Sequence, residues 1–243
     1  MDNELLKSFE PKTELNTKVW EDTTGDPKMK PEIREKLLTI AYEFIEFLDI
    51  DIVITDIILT GSLSNYNWSK YSDFDLHIVA NFDQYNENQI DLYEKLFNLK
   101  KLIYNQRHDI TIKGYEVELY VQNETESHFS TGVYSVLFDE WANVPKKEKI
   151  SVDKSLLKEK SRQWMNIIDD LIDAIKDDDI DTAKEMVQKY KEKLKKYRSC
   201  GLEKEGEYST ENLVFKILRR NGYIEKLNDL STKIIDKKLS MNQ

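Results

Sequence analysis

The chain has 243 residues, a formal net charge of −10, 34% charged residues, 7 glycines and 4 prolines, a composition that argues against a turn-rich all-β protein and favours long helices. No apolar run approaches the roughly 20 residues that span a bilayer, and the first residues lack the basic start of a signal peptide. The single cysteine, Cys200, cannot form an internal disulfide, so we expect a cytoplasmic protein without membrane contact.

The charge is divided unevenly along the chain. Residues 1–145 contain 13 Lys and Arg against 27 Asp and Glu, a net charge of −14. Residues 146–243 contain 23 against 19, a net charge of +4. The second part could therefore face an anionic partner, or its charges could belong to helices that carry many salt bridges on their solvated faces.

The first two predicted elements are an arm and a helix. Residues 1–30 are polar and irregular, and they predict an N-terminal arm that lies over the surface with Trp20 as its one large apolar anchor. From Pro31 onward, apolar residues recur every three or four positions and predict an amphipathic helix. We expect this helix to pack its apolar face on the sheet that follows.

The next stretch combines a strand, a turn and a pair of acidic residues. Gly61 ends an apolar strand at 56–60 and, because it has no Cβ, lets the backbone approach a ligand closely. Ser62 adds a hydroxyl and an amide at the start of a predicted short helix, where a phosphate is favoured. Asp73 and Asp75 stand two residues apart at a second strand, so both side chains leave the same face, and such a pair suits Mg²⁺. The stretch predicts a phosphate-binding turn opposite a divalent metal site, with His77 on the same strand face.

The chain then continues as a helix, a hairpin and a further strand. Residues 86–105 predict a second amphipathic helix, and 108–121 predict a β-hairpin that turns at Lys113-Gly114. Within its second strand, Glu116, Glu118 and Tyr120 share one face. A short strand is predicted at 134–138.

After Pro145 the pattern is helical throughout, with a polar loop predicted at 200–208. This gives three regions: an arm over 1–30, a domain over 31–145 that carries the candidate site and an all-α C-terminal domain over 146–243. One of the C-terminal helices carries a run of basic residues, which are Lys189, Lys191, Lys193, Lys195, Lys196 and Arg198. The run could hold the phosphates of RNA or of a nucleoside triphosphate, or it could be an ordinary solvated face.

The motif Gly61-Ser62, ten intervening residues and Asp73-x-Asp75 resembles the signature of the polymerase-β-like nucleotidyltransferase superfamily. The longer string from Leu59 to Val79 is similar to nucleotidyltransferase-like proteins encoded by tailed bacteriophages, and the resemblance covers residues 31–145. It implies an α+β fold with a mixed β-sheet flanked by helices. It also implies a third carboxylate on a later strand, a position that Glu118 matches.

The same resemblance implies a function. The expected enzyme transfers a nucleoside monophosphate from a nucleoside triphosphate, ATP favoured, to an acceptor hydroxyl. The positive net charge of residues 146–243 slightly favours RNA or tRNA as the acceptor. Asp73, Asp75 and Glu118 would hold Mg²⁺, or alternatively Mn²⁺, for two-metal phosphoryl transfer. Gly61 and Ser62 would hold phosphates, while Asn65 and Lys70 are candidate nucleotide contacts in the connection that follows.

Other interpretations of the motif remain. A calcium-binding loop needs more oxygen ligands and a glycine at its sixth position, and Leu76 to Val79 provide neither. Many superfamily members carry an arginine shortly after the Gly-Ser pair, and this chain has none there. A non-catalytic nucleotide-binding or interaction module of the same fold is therefore an alternative, and a nucleotide-sugar-dependent glycosyltransferase is a further one.

Overall fold

The computed structural model describes residues 3–23, 25, 27–126, 130–147, 150–174 and 180–240. The chain divides into two compact units. The sheet unit comprises residues 10–149, and the helical unit combines residues 1–9 with residues 150–243. Helix α1 (Asn3–Lys7) opens the described chain and belongs to the helical unit.

The sheet unit holds two β-sheets and two long helices. A small antiparallel sheet pairs β1 (Trp20–Glu21) with β2 (Lys28–Met29), and the helices are α2 (Pro31–Leu48) and α3 (Glu87–Arg107). The strands of the larger sheet are β3 (Val53–Thr60), β4 (Phe74–Asn81), β5 (Thr111–Ile112), β6 (Tyr115–Asn123), β7 (Val133–Ser135) and β8 (Glu140–Asn143).

The six-stranded sheet is mixed, with the spatial order β5-β6-β4-β3-β7-β8. Strands β4 and β6 run parallel, as expected for two strands joined by a crossover helix, here α3. The other neighbouring strands are antiparallel. The prediction of an α+β fold with a mixed sheet flanked by helices is confirmed.

The two faces of β4 differ in polarity because successive side chains alternate between them. Phe74, Leu76 and Ile78 are completely buried in the main apolar core, which also includes Leu37 and Phe44 of α2. At the alternate positions, Asp75, His77 and Asn81 are polar and half-buried, while Val79 is apolar and buried. Strand β4 therefore contributes apolar side chains to the main core and polar side chains to the opposite face of the sheet.

The segment from Glu10 to the start of α2 belongs to the sheet unit and packs into it, although we predicted that residues 1–30 would lie over the surface. Leu15, Val19, Trp20 and Met29 are all buried in the main core. The Trp20 ring stacks on Trp141 with 4.5 Å between ring centroids. The prediction failed because a few apolar residues in a polar segment give no periodic pattern, yet each of them fills a place in the core.

The strand predicted at 134–138 is shorter and begins one residue earlier. Residues 133–135 form β7, and the chain then turns through 136–139 before β8. Arg34 of α2 holds this turn by donating hydrogen bonds to the carbonyl oxygens of Val136 (2.8 Å) and Leu137 (2.7 Å). These carbonyls bind a side chain, so they are not used to extend the strand.

In the helical unit, α1 is joined by α4 (Lys154–Ala174), α5 (Ile180–Glu205), α6 (Thr210–Arg220) and α7 (Tyr223–Leu239). The predicted helical character of this part of the chain is confirmed. Leu5, Leu6 and Phe9, from α1 and the residues just after it, are buried in the same apolar cluster as residues of α4 to α7. None of the helices in the described part of the chain is long and apolar enough to cross a membrane.

The polar loop predicted at 200–208 is wrong over most of its length. Helix α5 continues through Gly201 to Glu205, and a single 3₁₀ turn follows at Gly206–Tyr208. A Cβ at Gly201 would lie 2.6 Å from the Glu211 Cβ, so the glycine allows α5 to approach the start of α6. This glycine is therefore explained by the close packing of α5 against α6, and it does not mark the end of a helix.

Candidate metal centre and its glycine turn

Three carboxylates meet at the polar face of the large sheet. Asp73 directly precedes β4, Asp75 lies in β4 and Glu118 lies in β6, where it pairs with Asp75 in the parallel register. One carboxylate oxygen from each residue lies within 4.8 Å of the others. All three side chains are half-buried. The predicted convergence of these residues is confirmed, and the set of hard oxygen donors suits Mg²⁺ or Mn²⁺. We call these three residues the carboxylate cluster.

Gly61 lies directly against the carboxylate cluster. Its φ of +76° and ψ of −156° are available almost only to glycine. A Cβ at this position would lie 1.9 Å from Asp75 Oδ2. The strand register explains this closeness, because Thr60, the residue before Gly61, pairs with Asp75 across β3 and β4. Glycine is therefore required here both by the backbone and by the carboxylate beside it.

The Gly61 turn, residues 61–65, is held in place by hydrogen bonds from several directions. Ser62 Oγ donates to Ser72 Oγ (2.7 Å), and Ser64 Oγ donates to the carbonyl oxygen of Gly132 (2.8 Å). The buried indole N–H of Trp20 donates to the carbonyl oxygen of Leu63 (2.7 Å). The turn is thus fixed beside the carboxylate cluster before any ligand binds.

The four residues predicted to bind nucleotide lie in different environments. Gly61 borders the carboxylate cluster and Ser62 follows it in the turn. Asn65 is only 5% exposed, and its amide donates to Thr131 Oγ1 (2.6 Å) while its Oδ1 accepts from the backbone N–H of Tyr66. Asn65 is therefore committed to holding the turn. Lys70 is exposed, with Nζ 5.2 Å from the Tyr71 ring centroid.

Tyr120 is a residue of the site that we did not assign a role from the sequence. Its hydroxyl donates a hydrogen bond to Glu118 Oε2. Burial raises the pKa of the Tyr120 phenol, and the bond to Glu118 and the negative charges of the carboxylate cluster raise it further. The phenol therefore remains a protonated donor. Its place on the strand face of Glu118 was the available signal, since residues two apart in a strand point the same way.

Lys101 and His77 both pack on the aromatic ring of Tyr120. Lys101 Nζ lies 4.2 Å from the Tyr120 ring centroid, and the His77 ring stacks at 4.7 Å. Burial lowers the pKa of Lys101, an effect that the charge of Glu118 opposes. His77 Nδ1 lies 2.7 Å from Gln122 Oε1. His77 shares the strand face of Asp75, as predicted, and its ring packs on Tyr120.

Asn105 of α3 fixes the backbone of β6 next to the carboxylate cluster. Its Nδ2 donates to the carbonyl oxygen of Leu119 (3.1 Å), and its Oδ1 accepts from the N–H of Leu119 (3.2 Å). The Asn105 side chain thus pairs with both backbone groups of Leu119, which lies between Glu118 and Tyr120, as the backbone of a neighbouring strand would. This one side chain therefore fixes the stretch of backbone that carries Glu118 and Tyr120.

No protein-family model, curated protein or solved structure matches the chain. The function is therefore inferred from the residues and the geometry of the site.

Proposed function

We propose that the protein is a metal-dependent nucleotidyltransferase of the polymerase-β-like type. It would transfer a nucleoside monophosphate from a nucleoside triphosphate to an acceptor hydroxyl and release pyrophosphate. The observation that supports this proposal most strongly is the convergence of the carboxylate cluster beside the glycine turn. The mixed sheet that brings these parts together is also compatible with that fold.

Asp73, Asp75 and Glu118 would hold Mg²⁺ or Mn²⁺. The donor set fits such ions, because one oxygen from each of three half-buried carboxylates lies within 4.8 Å of the others, and the carboxylates would repel one another without a cation. The bound ions would supply Lewis-acid activation of the acceptor hydroxyl and neutralise the charge that develops on pyrophosphate.

The remaining steps belong to residues of the chain. The missing Cβ of Gly61 lets the Asp75 carboxylate lie directly against the turn, and the fixed turn would orient the phosphates of the nucleotide beside the carboxylate cluster. The acceptor oxygen forms a bond to the α-phosphorus, and the bond from the α-phosphorus to the bridging oxygen of the β-phosphate breaks, so pyrophosphate leaves with the electron pair. Glu118 would take the hydroxyl proton on Oε1, because Oε2 already accepts the bond from Tyr120.

The acceptor that we favour is RNA, with tRNA as the first species to test. The support is the net charge of +4 over residues 146–243, which contrasts with −14 over residues 1–145. Positive charge attracts the phosphate backbone of RNA. ATP is the first nucleotide to test.

The proposal is tested by pyrophosphate release from the four nucleoside triphosphates with Mg²⁺ and total RNA. The variant is Asp75→Asn, and the matched control is Asp83→Asn, an exposed carboxylate outside the cluster. We expect Asp75→Asn to lower the rate about 100-fold or more, the loss typical of removing a preorganised electrostatic group, and Asp83→Asn to leave it unchanged. Equal rates for the wild type and Asp75→Asn would refute the proposal.

A second candidate is a nucleotide-binding module without catalysis. It is favoured by the missing arginine after Gly61-Ser62 and by the commitment of Asn65 to the turn. This module would bind ATP in the presence of Mg²⁺, measured by calorimetry, but release no pyrophosphate with any acceptor. A nucleotide-sugar-dependent transferase would instead hydrolyse UDP-sugars in preference to nucleoside triphosphates.

A further inference from the structure

The helical unit contains a pocket of about 640 Å³ between α5, α6 and α7. This volume lies within the range of about 300–1,000 Å³ that is usual for small-molecule sites. Its floor is apolar and is formed by Leu194, Leu202, Phe215, Ile224 and Leu227. We call it the cationic pocket because of the side chains that line one wall.

That wall consists of Lys191, Lys195 and Arg198 of α5. Their spacing of four and three residues places them on one face of the helix. Lys193 belongs to another face, where its Nζ lies 5.9 Å from the ring centroids of Trp164 and Tyr190. The basic residues of α5 therefore lie on different faces of the helix, and only some of them line the pocket.

Arg198 is held in position before any ligand binds. Its Nε donates to Asn212 Oδ1 (3.2 Å), and its guanidinium carbon lies 4.4 Å from the Phe215 ring centroid. Asn212 is itself buried, and its amide donates to the carbonyl oxygen of Glu207 (2.7 Å). Arginine fixed in this way can bind an anion without a large loss of side-chain freedom.

Positive charge is concentrated around the same helix pair. Burial lowers the pKa of Lys216 on α6, and Arg220, Arg219 and Arg198 lower it further, while Glu207 opposes them. The basic side chains of the pocket wall and these arginines therefore place several positive charges where α5 meets α6, with Glu207 among them. A dianion such as a phosphate monoester would reduce the repulsion among those positive charges.

We infer that the cationic pocket binds a mononucleotide. The phosphate would bind Lys191, Lys195 and Arg198, and the base would lie on the apolar floor. Gln188, Ser199 and Asn228 also line the pocket. The Gln188 amide nitrogen donates to Glu192 (2.7 Å), and the Ser199 hydroxyl donates to the carbonyl oxygens of Lys195 and Lys196, so the side-chain oxygens of both residues can still accept from the amino group of a base. Glu192 is the one carboxylate among the residues that line it, so binding needs no Mg²⁺. The inference does not depend on the proposed function.

The experiment measures binding of adenosine 5′-monophosphate by calorimetry, with EDTA present, to the full-length Asp75→Asn protein. These conditions remove binding of nucleotide with metal at the carboxylate cluster. Arg198→Gln and Lys195→Gln are added singly to this background. Lys193→Gln is the matched control, because it removes the same charge from the same helix outside the pocket. Adenosine and inorganic phosphate are titrated separately.

We expect the dissociation constant to rise about 10-fold or more for Arg198→Gln, the loss of one charge-assisted contact, and several-fold for Lys195→Gln. Lys193→Gln should change it less than twofold, and adenosine or phosphate alone should bind at least 10-fold more weakly. Lys195 is exposed, so its substitution leaves the fold intact even where Arg198→Gln does not. Absence of binding, equal binding by all variants, or binding of oligonucleotides but not of the mononucleotide would each overturn the inference.

Discussion

The carboxylate cluster of the sheet unit and the cationic pocket of the helical unit both gather charge of one sign, but their construction differs. In the cluster, the parallel register of β4 and β6 sets Asp75 beside Glu118, so the backbone determines which side chains meet. In the pocket, the turn of a single helix selects Lys191, Lys195 and Arg198 from a longer basic run. The comparison indicates that substitutions near the cluster act through backbone placement, whereas those at the pocket act through individual charges.

The largest effect is expected from Trp20→Ala, because Trp20 joins the core of the sheet unit to the Gly61 turn. Its side chain is 1% exposed, and its indole binds the carbonyl oxygen of Leu63. Loss of a buried tryptophan costs about 3–5 kcal/mol, which should appear in the free energy of unfolding measured with urea. Trp20→Phe keeps most of the packing and loses the hydrogen bond, so its cost should be clearly smaller. Similar costs for both variants would show that the bond to Leu63, rather than packing, dominates.

Two glycines sharpen the comparison. Gly61→Ala places a Cβ 1.9 Å from Asp75 Oδ2 and strains the backbone, and Gly201→Ala places one 2.6 Å from the Glu211 Cβ. We expect each to cost about 1–3 kcal/mol. Asp75→Ala should recover part of the loss at Gly61, since it removes the clashing oxygen. Glu211→Ala should recover little at Gly201, since the Cβ of residue 211 remains. The stabilities of the four single mutants and the two double mutants measure both couplings, and equal recovery in the two pairs would contradict the distinction.

Tyr120→Phe tests whether the phenol positions Glu118 in the carboxylate cluster. Removing a group that orients a metal ligand typically weakens metal binding about 10–100-fold, and we expect a loss in that range for Mn²⁺ measured by calorimetry. Tyr71→Phe, at a residue that is 38% exposed, is the control and should leave Mn²⁺ binding unchanged. Unaltered Mn²⁺ affinity in Tyr120→Phe would show that the hydroxyl has no influence on the ligand.

The smallest effect is expected at the start of α6. Ser209 is buried and its side chain accepts a hydrogen bond from the backbone N–H of Asn212, so Ser209→Ala should destabilise the helical unit by about 1 kcal/mol. Ser240→Ala, at the exposed end of α7, should have no measurable effect. Thermal unfolding followed by circular dichroism separates the two results, and a neutral Ser209→Ala would mean that the cap does not stabilise α6.

The shared face of Asp73 and Asp75 could be predicted because alternation along a strand has a fixed period of two, whereas Glu118 was predicted only from the resemblance to the superfamily. The direction of the Asn65 side chain could not be predicted, since in a turn it depends on partners that are distant in the sequence, here Thr131. The contact between Lys101 and Tyr120 could not be predicted either, because it depends on how α3 packs beside β6. Gly201 was assigned to a polar loop, whereas tertiary packing places it within α5.

Helix α1 has a consequence for how the protein is made and divided. Leu5, Leu6 and Phe9 are synthesised before the sheet unit, yet they are buried among helices that are synthesised after it. The sheet unit is complete before those helices leave the ribosome, so we expect it to fold first, while the opening residues wait for their partners. A fragment that begins at residue 146 would lack these three side chains and expose the apolar surface that they cover. Fragments of the helical unit should therefore aggregate unless a linker restores the opening segment.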